Sequence, residues 1–461
     1  MDLGQPGAIL LISCYELGHQ PIGIALPAGF LQQAGFSPLA MDVAVEPLDE
    51  DKATQASFVG ICVPMHMALR MGVQVINRIR ELNPDCHICC YGLYASLNSD
   101  YLLQNGVDSC IGGEYETPLV ALVESLADGS DAPVDGVIYA DRAASPYLER
   151  LSFAVPVRDK LPTLDQYAQL VENDDLRTAG YVEASRGCRH LCTHCPIPPV
   201  YEGRFFVVPQ DIVLADIRQQ VAAGATHITF GDPDFLNGPG HSLSVVEAMH
   251  EEFPSLTFDF TAKVQHLVQR GDNLPAFAEA GCLFIISAVE SLSERVLEIL
   301  DKQHTRADLE AALAACRKAG IAMRPTWVAF TPWTTLDDYL EMLHFVEAND
   351  LVDHVDPIQF AIRLLIPPGS WLADHPETLP HRDELDEAAF TYRWTHPDPR
   401  MDELHKQTLR LVEEDTENEV DPATTFFRLL ELAHGREPAA ATCSLPADRD
   451  RAPRMTESWF C

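Results

Sequence analysis

Three cysteines lie close together at Cys188, Cys192 and Cys195, in the stretch Ser-Arg-Gly-Cys-Arg-His-Leu-Cys-Thr-His-Cys-Pro. The spacing C-x3-C-x2-C is too tight for a helix or a strand to span, so it predicts a loop that turns three thiols towards one point. Three thiolates can hold three irons of a [4Fe–4S] cube and leave the fourth iron without a protein ligand. That iron is left open to a small molecule that brings its own ligand atoms, such as an amino and a carboxylate group. The competing chemistry is a zinc knuckle, because His190 and His194 lie beside the thiols and Cys3His is a common zinc set. Knuckles pair two short hairpins, and no second ligand pair follows here. Three unrelated buried cysteines are a third reading.

The elements that must position this loop can be read on both sides of it. From Tyr181, strands are predicted over 181–186, 226–231, 256–261, 283–289, 321–329 and 357–364. Helices between them begin at Asp211, at Ser291 with Glu294 three later, at Thr305 with Asp308 and at Thr335 with Asp338, which are N-cap and capping-box signals. Six such units predict an open, partial (β/α)6 barrel whose mouth lies at the strand carboxyl ends. The cysteine loop follows the first strand and so belongs to that mouth. Strand two ends in Phe230-Gly231-Asp232-Pro233-Asp234-Phe235, where Asp232 and Asp234 face a ligand or simply make the turn. Lys263, after strand three, meets a carboxylate or is solvated. Glu290 and Ser291 close strand four, with Ser291 also placed to cap a helix. Gln359 and Arg363 alternate on strand six and point into the barrel, where Arg363 suits a carboxylate; its bland reading is a surface ion pair.

The first 130 residues repeat the alternation. Strands are predicted at 8–14, 37–43, 57–63, 87–91 and 107–111, with helices at 22–33, 66–83 and 115–127. Short apolar strands alternating with helices imply a doubly wound α/β domain with a parallel sheet, whose ligands lie at the strand carboxyl ends. Residues 131–180 read as a linker containing a hairpin-like Gly136-Val-Ile-Tyr-Ala-Asp-Arg. Residues 373–435 read as a helical, acidic region with a loop His396-Pro-Asp-Pro-Arg400 between two helices. From 436 the composition shifts to Ala, Pro, Asp and Arg, a flexible tail that ends in Trp459, Phe460 and Cys461.

At 461 residues, 47% hydrophobic and 22% charged, the chain reads as a soluble globular protein of two or three domains. No apolar run of about 18 residues predicts a membrane span, and the amino terminus lacks a signal peptide's basic start, so a cytoplasmic location is expected. A formal net charge of −37 excludes a nucleic-acid partner, whose phosphates would be repelled. Thirteen cysteines in such a chain are not a disulfide framework; most outside the loop sit in apolar runs as small hydrophobes.

The cysteine loop resembles that of the radical SAM superfamily, and the resemblance extends over residues 181–372. It implies a [4Fe–4S] cluster on Cys188, Cys192 and Cys195, bound S-adenosylmethionine, a small-molecule substrate and a low-potential electron donor such as flavodoxin or ferredoxin. It also implies cofactor-binding roles: His194 against the adenine, Asp232 and Asp234 near the methionine ammonium, and Glu290-Ser291 as the superfamily's Gly-x-Glu-Ser at the ribose and amino-acid part. Lys263, Gln359 and Arg363 are further cofactor-binding candidates. Residues 1–130 resemble the cobalamin-binding, flavodoxin-like Rossmann domain that precedes many such modules. Its Asp-x-His-x-x-Gly is absent, and in Glu16-Leu-Gly-His19-Gln-Pro-Ile-Gly23 the histidine has the wrong spacing. Cobalamin binding and a vestigial domain therefore both stand.

Together with Pro196-Ile-Pro-Pro-Val-Tyr-Glu-Gly-Arg, Arg363-Leu-Leu-Ile-Pro-Pro-Gly-Ser and the Trp-Phe-Cys end, the loop resembles a narrower group, the CUAEP/CCAEP-tail radical SAM proteins. Their chains finish in Cys-Cys or Cys-selenocysteine followed by Ala-Glu-Pro, and a UGA codon read as stop would end a translated sequence at Cys461. The group is associated with arsinothricin biosynthesis. This implies transfer of a 3-amino-3-carboxypropyl radical from S-adenosylmethionine to trivalent arsenic, with arsenite presented by Cys461 and a second soft ligand such as Cys443. The alternatives are a cobalamin-dependent radical methyltransferase and a non-catalytic iron–sulfur carrier or scaffold.

Overall fold

The computed structural model describes residues 2–130, 132–173, 175–436, 446, 449 and 451–457. Strands β1 (Ile9–Ser13), β2 (Leu39–Asp42), β3 (Phe58–Cys62), β4 (His87–Tyr91), β5 (Ser109–Ile111) and β6 (Val137–Ile138) form one sheet in the order β2-β1-β3-β4-β5-β6. All neighbours are parallel except β5 and β6. β1 and β3 are buried along their whole length, as strands covered by helices on both faces must be. This is the expected flavodoxin-like domain. The hairpin-like stretch at 136–142 is not a free linker: β6 adds the sixth strand to this sheet, so 131–180 serves both domains.

The second sheet is a curled half-barrel. Its members are β7 (Gln169–Glu172), β8 (Asp175–Val182), β11 (His227–Phe230), β12 (Thr257–Thr261), β13 (Cys282–Glu290), β14 (Ala322–Trp327) and, from the chain end, β17 (Arg454–Met455). Their order is β14-β13-β12-β11-β8-β7-β17. The five strands from β8 to β14 are parallel, and β7 and β17 are antiparallel additions beyond β8. β9 (Ser185–Gly187) and β10 (Phe205–Val207) make a separate two-stranded ladder at the mouth. Ile228, Phe230, Phe258, Phe260 and Ile285 pack outward against the helices in the main core.

Sequence signals held at two helix starts and slipped at two others. Thr305 with Asp308 and Thr335 with Asp338 are complete capping boxes. Asp211 lies in the first turn of a helix whose N-cap is Pro209, and Ser293 rather than Ser291 precedes Glu294–Ile299. The predicted sixth strand is a 3-10 turn, Pro357–Ala361, with a single parallel bridge between Phe330 and Arg363. Gln359 Oε1 accepts the Trp327 N–H at 3.0 Å, so a side chain takes the place that a ladder would give to backbone. The predicted helix before His396 is instead a hairpin, β15 (Arg382–Asp386) and β16 (Thr391–Trp394). It carries Phe390 into the first domain's core and Trp394 into the barrel's. Two helices, Pro399–Glu417 and Pro422–Ala433, follow it.

The tail differs most from expectation. Met455 sits on the inner face of the half-barrel with Leu170, Ala179, Phe284 and Ile286, and Thr229 Oγ1 lies 3.8 Å from its sulfur. Thr456 N donates to Gln169 O at 2.8 Å, and the Tyr15 hydroxyl of the first domain donates to Glu457 Oε1 at 2.5 Å. The composition that suggested flexibility hid one apolar residue that fills the barrel. Cys443 and Cys461 lie outside the described residues. No helix among the described residues is long and apolar enough to cross a membrane.

Because Met455 is a buried plug, Met455→Ala should lower the unfolding free energy by about 2 kcal/mol or more, whereas Met455→Leu should cost under about 1.5 kcal/mol. Urea denaturation of the two variants beside the parent checks both.

Candidate active site

The cysteine loop is an excursion closed at its base. The β9–β10 ladder pairs Gly187 with Phe205 and Ser185 with Val207, so residues 188–204 leave and return at one point. Gly187, at φ 72°, starts the loop; any side chain there would run into the Arg204 carbonyl and the Tyr201 ring. Beneath it, buried Arg186 donates to Glu116 Oε1 at 2.6 Å and Glu183 Oε2 at 2.8 Å, and Tyr201 donates to Glu114 Oε1 at 2.9 Å. Glu114 and Glu116 belong to the first domain, so the loop base is fastened across the domain junction. At the tip Thr193 Oγ1 donates to Ile299 O at 2.7 Å, and Leu372 N donates to Thr193 O at 2.8 Å. Cys188 and Cys192 are buried and Cys195 half-buried.

Two buried ammonium groups face the thiols. Lys263 Nζ lies 3.2 Å from Cys192 Sγ; it is buried, and it meets no carboxylate among the described residues. Lys302 Nζ lies 3.2 Å from Glu290 Oε1 and feels the charges of Cys192 and Cys195. Glu290, at φ 68° beside a register shift between β13 and β14, also receives His194 Nε2 at 3.7 Å. Against burial, which would raise it, Lys302 and His194 hold the Glu290 carboxyl down to about 2. Burial pushes the Cys188 thiol up to about 11, so a metal must displace its proton to bind there.

The other sequence candidates divide. Asp232 is buried in contact with protein donors, Ala184 N at 2.9 Å and Ser185 Oγ at 2.5 Å, and burial raises its carboxyl to about 7. Both its oxygens are engaged, so this turn offers a ligand its backbone and not the Asp232 carboxylate. Asp234 caps the next turn through Leu236 N at 3.0 Å and turns its other oxygen to His190 and His266. Ser291 Oγ accepts from Ser293 N at 3.1 Å. Gln359 is spent on Trp327. Arg363 donates to Asp402 Oδ1 and Trp394 O, each at 2.8 Å, and lies 3.5 Å from the Trp394 ring centroid. Its ion-pair reading holds, and it does not point into the barrel.

Lys302 and His304 escaped sequence analysis. The available signal was only a basic pair just after a helix, in Leu300-Asp-Lys-Gln-His304, among polar neighbours that suggest a solvated turn. At the carboxyl ends of β13 and β14, Ser287 Oγ and Thr326 Oγ1 are buried without a hydrogen-bond partner among the described residues, and the His304 ring nitrogens likewise meet no partner in good geometry. Three thiols beside two buried cations, with unspent polar atoms around them, fit an anionic iron–sulfur cluster and a polar cofactor at its open iron. Cys188, Cys192 and Cys195 would hold the irons, and Glu290, Thr326 and His304 would meet the cofactor.

The residues fit cobalamin less well. Among the described residues, the histidines at the first domain's strand ends are held by the chain itself: His19 stacks on Tyr181 with ring centroids 4.6 Å apart, and His66 Nε2 lies 2.5 Å from Ala389 O. Glu16 accepts from Gly23 N at 3.1 Å and Glu114 from Tyr201, so the strand ends are occupied by the chain's own contacts.

Replacing any one of Cys188, Cys192 and Cys195 by alanine should drop iron after anaerobic reconstitution from about four per chain to near zero, because two irons would lose cover; iron analysis reads this. Burial lowers the His19 ring to about 4 from its usual 6.5, so its neutral form contributes fully above pH 6.5 and that contribution is lost as the pH falls towards 4. Between those limits the parent should lose up to about 3 kcal/mol more stability than His19→Phe, measured by urea denaturation at both pH values.

The family described as the radical SAM superfamily matches residues 182–346. Hopanoid C-3 methylase of Methylococcus capsulatus is 22% identical over 324 residues, covering 68% of this chain and 62% of its own. The chain thus spans less than two thirds of that relative's length. In fold, the cobalamin-dependent S-adenosylmethionine radical enzyme OxsB with aqua-cobalamin bound has a TM-score of 0.71 at 16% identity, covering 91% of this chain and 72% of its own. The radical S-adenosylmethionine methyltransferase TsrM of Kitasatospora setae has a TM-score of 0.66 at 15% identity, covering 93% and 96%. The cysteine loop and strands β11 to β14 lie within the matched stretch, so residues 182–346 form a radical SAM domain, and the chain is an enzyme whose cofactors are a [4Fe–4S] cluster and S-adenosylmethionine.

Proposed function

We propose that this enzyme joins a carbon fragment of S-adenosylmethionine to a small acceptor held between the half-barrel mouth and the flavodoxin-like domain. The observation that carries this reading is the grouping of Lys263, Lys302 and Glu290 around the cysteine loop, with His304 beside the two lysines. Held by Cys188, Cys192 and Cys195, a [4Fe–4S] cluster would supply the electron that breaks a carbon–sulfur bond, itself reduced by a low-potential carrier such as flavodoxin or ferredoxin. The chain's own residues do the rest. Lys263 and Lys302 balance the charge of the thiolates, Glu290 receives a donor of the cofactor, and the interface around Arg186 keeps water from the radical.

The acceptor we favour is trivalent arsenic, as arsenite, receiving the 3-amino-3-carboxypropyl group: one As–C bond forms, one As–O bond breaks with its oxygen leaving as water, and the low-potential carrier supplies a second electron. Its support is the resemblance of the tail sequence, together with the course of residues 451–457. These carry the chain along the inside of the half-barrel to Tyr15, at the end of β1. Cys461 comes four positions after Glu457, a length of at most about 14 Å. Cobalamin-dependent methyl transfer is the second reading, favoured by the likeness of fold to OxsB and TsrM and opposed by the engaged histidines His19 and His66.

Anaerobic turnover with and without arsenite separates the two. The first reading expects methylthioadenosine, formed faster with arsenite present. Equal amounts of 5′-deoxyadenosine and S-adenosylhomocysteine, formed only with added cobalamin, would replace it by the second. Met455 is structural, so the tail is tested by deleting residues 458–461 alone: cofactor cleavage should persist while the arsenic-containing product is lost.

A further inference from the structure

Behind the cysteine loop three side chains from three elements converge. His190 lies within the loop, Asp234 in the turn after β11, and His266 in the helix Val264–Gln269 after β12. His266 Nδ1 is 2.7 Å and His190 Nε2 3.3 Å from Asp234 Oδ2, and one ligand atom from each residue lies within 4.8 Å of the others. These distances would suit hydrogen bonds, yet neither contact has the direction of one. His190 Nε2, His266 Nδ1 and Asp234 Oδ2 are all buried without a hydrogen-bond partner among the described residues. Three buried polar atoms that face one another at ion-pair distance without the geometry of a hydrogen bond are poorly satisfied unless a cation binds them together.

We propose that His190, Asp234 and His266 bind one divalent transition-metal ion, zinc or ferrous iron, separate from the iron–sulfur cluster. Two imidazoles and a carboxylate are a borderline donor set that suits those ions. Bonds of about 2.1 Å in a tetrahedron place ligand atoms about 3.4 Å apart, so small shifts from the observed spacing close the site. Asp234 Oδ1 is fixed by Leu236 N, which aims Oδ2 at the rings in the way outer contacts orient metal ligands. Asn237, in the same turn, accepts from Arg189 N at 3.3 Å and so ties the turn to the loop. With three protein ligands the ion keeps a position for water or a lone-pair donor, and it clamps the loop between Cys188 and Cys192 to the β11 and β12 ends.

The inference does not depend on the acceptor or on which bond of S-adenosylmethionine breaks. The full chain, reconstituted anaerobically and dialysed against an equimolar amount of zinc sulfate, should hold about four irons and about one zinc. His266→Ala lies outside the loop and should keep the iron while zinc falls to near zero; Asp234→Asn should do the same. Zinc content no higher in the parent than in His266→Ala overturns the proposal. So that zinc entering the cysteine site cannot confuse the result, the Cys188→Ala/Cys192→Ala/Cys195→Ala chain is titrated with cobalt(II). It should show visible bands of nitrogen and oxygen ligation without thiolate charge transfer, and these should vanish on adding His266→Ala. Their absence from the triple variant, or their survival in the quadruple one with circular dichroism unchanged, also overturns it.

Discussion

Two buried ammonium groups, Lys263 and Lys302, set the terms for the centre of this protein. A cation removed from water must meet an anion or lose its proton, since burial alone would drive its pKa down. Lys263 has a thiol sulfur at 3.2 Å and Lys302 a carboxylate at the same distance. The pairing fixes which side chains surround the cysteines. It also accounts for the backbone at Glu290, whose positive φ and shifted register swing the carboxylate to Lys302 instead of leaving it in the β13–β14 ladder. A neutral site would need neither lysine; an anionic cluster makes both favourable.

Around that centre, chain segments far apart in sequence act as walls. Arg186 binds the loop base to the first domain through Glu116, and Arg158 joins the domains again. Its guanidinium meets Asp216 at 2.8 and 3.0 Å and also donates to Gln20 O and Tyr181 O. Such bidentate buried pairs hold orientation as well as distance. Met455 closes the inner face of the sheet that the parallel strands leave open. The β15–β16 hairpin adds a third tie, with Phe390 edge-on to Tyr101 at 4.8 Å. The crevice is therefore built by contacts between domains and not by either domain alone.

Much of this was written locally in the sequence. Buried strands read as apolar runs, Thr305 and Thr335 announce their helices, and the tight cysteine spacing alone requires a loop with one focus. Period and capping depend on neighbours within a few residues, so fold class and the three-cysteine loop need no knowledge of the rest of the chain. Partnership across the fold is another matter. Nothing within reach of Lys302 marks it as Glu290's partner, and nothing near Arg363 shows that Asp402 and Trp394 would engage it. Asp232 and Asp234, two residues apart in one turn, go to different neighbours: one to the β8–β9 backbone, the other to two histidines. The hairpin at 382–394 and the strand at 454–455 were also hidden, since each owes its conformation to a distant surface that it covers. The sequence by itself determined the two α/β domains and the three-cysteine loop, because hydrophobic period and residue spacing are local. The tertiary structure alone decided which charges face the cysteines, where the tail runs and how the domains close on one another, because electrostatic pairing and burial depend on residues brought together only by folding.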